Sequence, residues 1–101
     1  MARGPKLITG KDLNKRMRGL SEWTINKKET QLSKSFTVPS FIAGLALIAK
    51  VTVYAEILQH HPDVELSYDK VKIKLTTHDV KGLTKTDFEL AKKIDNIRLK
   101  I

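Results

Sequence analysis

A long apolar segment in the middle of the chain is the feature that most restricts its possible folds. The segment runs from Phe41 to His60, and Pro62 follows it closely. Ser40 is suited to cap a helix, and Pro62 disfavours helical geometry at His61, so we predict a helix over this segment. Its apolar residues fall on most of its faces, which is typical of a helix covered on more than one side. In a chain of 101 residues the second cover can come from another subunit.

Alternating apolar and polar residues on either side of this helix predict two β-hairpins. The first joins a short strand at 23–26 to a strand at 32–38 through a polar turn. The second joins 65–68 to 71–76 through a tight turn at Asp69-Lys70. One face of the second hairpin is apolar, so that face is expected to cover the core.

Shorter helices are predicted near both ends of the chain. Thr9 is suited to cap the first, and Thr84 with Asp87 resembles a capping box at the start of the last. The predicted order is therefore α-β-β-α-β-β-α. Two hairpins can merge into one sheet, so we predict an α+β fold with a four-stranded antiparallel sheet and three helices on one face. The length suits a single domain over residues 1–101.

Composition excludes several classes of site. The chain has no cysteine, which rules out disulfides, Cys-ligated zinc, thiolate nucleophiles and iron–sulfur clusters, and is compatible with a reducing compartment. The glycines are isolated, so phosphate loops and dinucleotide motifs are missing. No apolar signal segment follows the basic first residues, and Lys50 and Glu56 interrupt the central helix. We therefore expect a cytoplasmic protein with no membrane span.

The formal net charge of +8 raises the question of an acidic partner. The lysines are scattered along the chain, and aromatic residues make up only 6% of it. Base readout favours arginine forks, and single-strand binding favours exposed aromatic platforms. We therefore expect a lysine-rich solvated surface and no nucleic-acid partner.

All three histidines fall in one short part of the chain. His60 and His61 lie where the central helix ends, and His78 lies at the end of the last predicted strand. Imidazole has an ordinary pKa of about 6.5, so it can donate or accept a proton near neutrality. Glu56 precedes His60 by four residues, so a helix would place both on one face. This grouping fits general acid–base chemistry.

Simpler roles stay open for each of these residues. Histidine before proline at a helix end can be a stop signal, where the helix dipole favours a charged imidazole. Glu56 can be a solvated helix residue, Tyr68 a sheet-face packing residue and Asp87 a helix-start charge. Three imidazoles can also bind zinc, but adjacent histidines converge poorly on one ion, so we predict no metal site.

Seven residues stand at the spacing of a known signature, E-x3-H-H-P-x5-Y-x9-H-x8-D. They are Glu56, His60, His61, Pro62, Tyr68, His78 and Asp87. The flanking segments Thr76–Asp79 and Gly82–Thr84 also agree. The chain therefore resembles the pterin-4a-carbinolamine dehydratases over nearly its whole length after Thr9.

The resemblance implies a hydro-lyase that dehydrates 4a-hydroxytetrahydropterin to quinonoid dihydropterin in tetrahydrobiopterin recycling. It also implies that no metal or organic cofactor is used and that the protein is a homodimer or homotetramer. The catalytic residues would be His60, His61 and His78. The residues that contact the pterin would be these three with Gln59, Thr76, Thr77 and Asp79. The supporting residues would be Glu56, Pro62, Tyr68 and Asp87.

Some animal members of this family also bind a homeodomain transcription factor and stabilise its dimer. A non-catalytic binding module that stabilises such a partner is therefore the alternative function. The chain departs from the family pattern at Gln59, where an acid often stands, and at Val64, where some members have an aromatic residue. Neither change removes a catalytic group, and both bear on substrate preference.

Overall fold

The computed structural model describes residues 6–98, and the helices and strands within them follow the predicted order. The elements are α1 (Gly10–Arg18), β1 (Thr24–Ile25), β2 (Leu32–Thr37), α2 (Phe41–Leu58), β3 (Asp63–Ser67), β4 (Lys70–Leu75) and α3 (Lys85–Asp95). The strands form one antiparallel sheet in the order β1-β2-β4-β3. The predicted α+β fold class is therefore confirmed. A short 3₁₀ turn at His78–Val80, which the sequence did not predict, lies between β4 and α3.

The alternation of residues along the strands places apolar side chains on one face of the sheet. The strand residues that are fully buried on this face are Leu32, Val71, Ile73 and Leu75. Each helix adds buried side chains to the same cluster, among them Leu13 of α1, Val51 of α2 and Phe88 of α3. The three helices therefore cover one face, because the period of two in the strands turns every second side chain toward them.

The other face of the sheet is polar, as the same alternation requires. Asp63 of β3 lies opposite Lys74 of β4, and Glu65 lies opposite Lys72. Residues directly opposite in an antiparallel pair have close Cβ atoms, so these opposite charges favour the observed register.

Helix α2 begins as predicted, with the Ser40 hydroxyl accepting a hydrogen bond from the Ala43 N–H at 3.1 Å. The face of α2 that packs on the sheet is made of small and aliphatic residues, and a Cβ on Gly44 would lie 2.5 Å from Leu66 Cδ1. Within residues 6–98, α2 packs on the sheet and against α3, and a further cover from another subunit stays a prediction. By length and composition alone, α2 could cross a membrane.

The uncovered side of α2 carries several large apolar side chains. We call this set the outer face of α2, and its members are Phe41, Ile42, Leu45, Val53 and Ile57, each more than half exposed. An apolar patch of this kind on a folded chain usually marks an interaction surface.

Candidate active site

The end of α2 sets the direction of the histidine pair. The helix ends at Leu58, two residues earlier than predicted, and Gln59 adopts a left-handed conformation with φ 50° and ψ 45°. The Gln59 N–H donates to the Glu56 carbonyl, and the His60 N–H donates to the Ala55 carbonyl at 2.9 Å. This is the Schellman arrangement, and glycine is its usual central residue. The sequence carries no glycine here, so the earlier end could not be read from it.

His60 is held by a buried carboxylate. Its Nε2 lies 2.5 Å from Asp87 Oδ1, the Asp87 side chain is fully buried, and the His60 side chain is 13% exposed. Asp87 is the third residue of α3, and its Oδ2 accepts from the Thr84 N–H at 2.8 Å. The same oxygen accepts from the Thr77 hydroxyl at 2.7 Å. The predicted capping box is present, and its carboxylate also binds an imidazole.

This pairing bears on which nitrogen of His60 carries a proton. Beside an ionised Asp87, which only accepts hydrogen bonds, the Nε2 of His60 is the donor. In the neutral imidazole the Nδ1 lone pair then remains available to accept a proton. Within residues 6–98 every buried side-chain nitrogen or oxygen has a hydrogen-bond partner, so the polar cluster around Asp87 is fully satisfied.

His61 is held by a different carboxylate. Its Nε2 lies 2.5 Å from Glu56 Oε2, and both side chains are 61% exposed. The expectation that Glu56 shares a helix face with His60 is wrong. The left-handed Gln59 turns the chain after α2, so Glu56 meets the residue five positions ahead rather than four. The two adjacent histidines therefore have separate partners, one buried and one at the surface.

His78 comes from the 3₁₀ turn rather than from the end of β4, which closes at Leu75. The turn is anchored at Thr77, whose N–H donates to the Gly82 carbonyl at 2.8 Å. Thr76 fixes the same segment from the other side, since its hydroxyl donates to the Thr30 carbonyl at 2.6 Å. His78 is exposed on this anchored turn.

These segments surround one cavity of about 250 Å³, which we call the histidine cavity. The residues that line it are Gln59, His60, His61, Thr76, Thr77, His78 and Asp79. The structure thus brings together the same seven residues for which the resemblance implied contact with a pterin. Two hydroxyls, an amide, a carboxyl group and three imidazoles around a small cavity suit proton transfer to and from a flat polar molecule.

The supporting residues divide between near and distant positions. Glu56 and Asp87 bind the histidines as described above, and Pro62 follows the pair directly. Tyr68 lies in the turn between β3 and β4 with φ 25° and is 79% exposed. That turn is at the opposite end of β3 from the histidine pair, so the structure does not bring Tyr68 to the cavity.

One contributor to the site was not foreseen in its actual role. The Thr77 hydroxyl binds Asp87, and it also lies 2.8 Å from the Thr84 hydroxyl. The capping-box pattern signalled Thr84 and Asp87, but nothing local in the sequence signals that Thr77 reaches the same carboxylate.

Across residues 6–98, no group of three or more His, Asp or Glu side chains is placed to hold a metal ion.

Comparison with known proteins shows which family this sequence matches. The family model for pterin 4 alpha carbinolamine dehydratase matches residues 6–97. A relative from Nostoc punctiforme, named as a putative pterin-4-alpha-carbinolamine dehydratase, is 38% identical over 92% of this chain and 98% of its own length. A relative of the same name from Roseiflexus sp. is 38% identical over 89% of this chain and 95% of its own length.

Solved structures share the fold. A crystal structure described as a transcriptional coactivator/pterin dehydratase from Brucella melitensis has a TM-score of 0.84 and 29% identity, over 89% of this chain and 96% of that one. A pterin dehydratase-like protein described as a RuBisCO assembly factor in the alpha-carboxysome has a TM-score of 0.63 and 20% identity, over 74% of this chain and 87% of that one. The second likeness concerns the fold alone.

Proposed function

This chain belongs to the pterin 4 alpha carbinolamine dehydratase family, and from that premise we propose that it is a hydro-lyase acting on 4a-hydroxytetrahydropterins. The observation that carries the proposal is the histidine cavity, which His60, His61 and His78 line, with His60 and His61 bound to separate carboxylates. The product would be the quinonoid dihydropterin, as in tetrahydrobiopterin recycling.

The proposed reaction needs two proton transfers and no other chemistry. The C4a–O bond breaks and its electron pair leaves with the hydroxyl, which takes a proton and departs as water. The N5–H bond breaks, and its electron pair forms the C4a=N5 double bond. One proton is delivered and one is removed, so a pair of imidazoles in complementary states can support both transfers. We therefore propose that no metal or organic cofactor takes part.

The hydrogen bonds suggest different roles for the histidines. Asp87 accepts the Nε2 proton of His60, so in the neutral ring Nδ1 is the group that can take a proton from the substrate. His61 and His78 are exposed and can exchange protons with water after each turnover. We assign His60 as the proton acceptor and one of the exposed pair as the donor to the departing hydroxyl.

The test is a stopped-flow absorbance assay on chemically generated 4a-hydroxytetrahydrobiopterin. We expect His60→Ala, His61→Ala and His78→Ala each to lower kcat by at least about tenfold, because general acid–base groups contribute on that order or more. Far-UV circular dichroism would show that each variant is folded. A folded wild-type protein with no acceleration over the uncatalysed reaction would refute the proposed function.

The outer face of α2 supports a second proposal, which is association with another protein surface. Five large apolar side chains are exposed there, and a related structure is described as a transcriptional coactivator/pterin dehydratase. We propose that a homodimer or homotetramer forms through this face. The alternative occupant is a partner protein that the chain stabilises without catalysis.

Light scattering after size-exclusion chromatography separates these cases. We expect the wild type to elute as an oligomer and Ile42→Lys/Ile57→Lys to elute as a smaller species. Lys92→Glu, an exposed change on α3, should leave the oligomer intact. A wild-type monomer would refute self-association and leave the partner protein as the occupant.

We propose that the protein is located in a reducing cytoplasm, which is compatible with the absence of cysteine.

A further inference from the structure

A second cavity of about 430 Å³ adjoins the histidine cavity. It shares Thr76 and His78 with the histidine cavity, so the two cavities are neighbours along this edge. We call it the lysine cavity, and its lining residues are Lys28, Thr30, Gln31, Thr76, His78 and Lys81. Nothing in the proposed dehydration uses this space.

The wall of the lysine cavity formed by the β1–β2 turn is rigidly held. Asn26 Oδ1 accepts from the Thr30 N–H at 2.8 Å and from the Gln31 N–H at 3.0 Å. The Thr30 carbonyl in turn accepts the Thr76 hydroxyl, which ties the turn to the end of β4. Lys28 therefore extends from a turn whose position relative to His78 is fixed.

The second lysine is held from the opposite side. Lys81 has φ 53°, a left-handed conformation that an L residue with a side chain rarely adopts, and its N–H donates to the His78 carbonyl at 3.2 Å. The Thr77–Gly82 bridge closes the loop around it. The sequence thus keeps a long cationic side chain at a position where glycine would relieve backbone strain.

The charges of these lysines are not neutralised by nearby carboxylates. Within the described part of the chain, neither Lys28 nor Lys81 forms a salt bridge. No acidic residue lines the lysine cavity, whereas Asp79 lines the histidine cavity. Two ammonium groups beside an imidazole form a site for an anion, because lysine binds phosphate and carboxylate groups as a compact point charge.

We propose that the lysine cavity is a subsite for an anionic group on the substrate's C6 side chain, so that the preferred substrates are pterins ending in a phosphate or carboxylate. This inference rests on the proposed function, since the histidine cavity would hold the pterin ring. The ring would be bound by the shared edge at Thr76 and His78, and the side chain would extend toward Lys28 and Lys81.

Equilibrium binding of stable pterins tests the subsite directly. Fluorescence titration would compare 7,8-dihydroneopterin with its 3′-phosphate, and with 7,8-dihydrofolate as a carboxylate-bearing ligand. We expect the wild type to bind the phosphate about tenfold more tightly than the neutral ligand at low ionic strength, as two partly exposed ion pairs would give. Added salt should reduce this ratio. Preference for dihydrofolate alone would identify the group as a carboxylate.

The matched variants show whether tighter binding of the phosphate comes from Lys28 and Lys81 or from the general positive charge of the protein. Lys28→Gln/Lys81→Gln should bind the phosphate and the neutral ligand with equal affinity. Lys27→Gln/Lys92→Gln removes the same two charges from exposed residues that do not line the cavity, and it should retain the tenfold ratio. A wild type that binds neither the phosphate nor dihydrofolate more tightly than the neutral ligand, or a double variant that keeps the wild-type preference, would overturn the subsite.

Failure of the subsite can be distinguished from failure of the proposed function. Dehydration of the neutral carbinolamine by the wild type, together with equal binding of the neutral and the anionic pterins, would overturn the subsite alone. No dehydration, together with tighter binding of the phosphate that depends on Lys28 and Lys81, would overturn the dehydratase and leave an anionic pterin site.

Discussion

Replacing Asp87 with asparagine should alter the proton position on His60 while keeping the shape of the site. The amide has one oxygen, and the Thr84 N–H and Thr77 hydroxyl already donate to Oδ2 of the carboxylate. The amide oxygen should therefore stay with these donors and the NH₂ group should face His60. A donor at this position requires Nε2 to accept, so the imidazole proton moves to Nδ1.

The expected loss of stability and of kcat follows from which hydrogen bonds of Asp87 the substitution keeps and which it changes. Two of the three hydrogen bonds to residue 87 remain, and the charge-assisted bond to His60 becomes a neutral one. We expect the free energy of unfolding to fall by about 1–3 kcal/mol. If His60 is the proton acceptor, its reactive nitrogen is blocked, and kcat should fall by about 10²–10⁴-fold.

Three measurements on Asp87→Asn separate a positioning role from a structural one. Stopped-flow kinetics gives kcat, and urea denaturation gives the free energy of unfolding. The ¹⁵N chemical shifts of the His60 ring give the tautomer, which a loss of packing would not reverse. Glu89→Gln makes the same change of acid to amide on an exposed residue of α3 and serves as the control. Wild-type kcat in Asp87→Asn, or a proton still on Nε2, would refute this account.

Three further predictions concern the surface pair, the edge of the core and metal removal. Glu56→Gln should lower kcat less than Asp87→Asn does, because the Glu56 and His61 side chains are 61% exposed and water can partly replace their interaction. The same stopped-flow assay measures this, and a larger loss of kcat than in Asp87→Asn would contradict it. Asp95→Ala should lower the free energy of unfolding, measured by urea denaturation, by about 1–3 kcal/mol, because Asp95 accepts from Trp23 Nε1 at 3.0 Å and Lys34 Nζ at 2.9 Å. An unchanged midpoint of urea denaturation would show that water replaces these hydrogen bonds. Dialysis against EDTA should leave kcat unchanged, and recovery of a lost activity by added zinc would show a metal requirement.

The parts of the fold that could be predicted are those with local signals. Ser40 and Thr84 mark the starts of α2 and α3, since a capping hydroxyl acts within one turn of the helix that it begins. Strand alternation determined which face of the sheet is buried, because its period of two acts at every residue. These features depend on neighbours in sequence and so are visible in it.

The residues that line the site could be predicted, but the hydrogen bonds between them and their partners could not. The seven residues that line the histidine cavity were expected from the resemblance, whereas the expected pairing of Glu56 with His60 on one helix face was wrong. That assignment assumed that α2 continues to His60, and the left-handed Gln59 ends it earlier without a glycine to signal this. The link between Thr77 and Asp87 spans ten residues and depends on how β4 meets α3, which no local pattern encodes.

The conformation of Gln59 also sets a trade-off between rigidity and strain. An L residue in the left-handed region is less stable there by about 1–2 kcal/mol, and glycine at this position would remove that strain. Glycine would also allow a wider range of φ and ψ at the residue that leads into His60 and His61, so the pair could sample several directions. A more stable helix end would thus come with a less ordered pair of imidazoles. At this strained turn the protein gives up some stability, and the two imidazoles stay aligned.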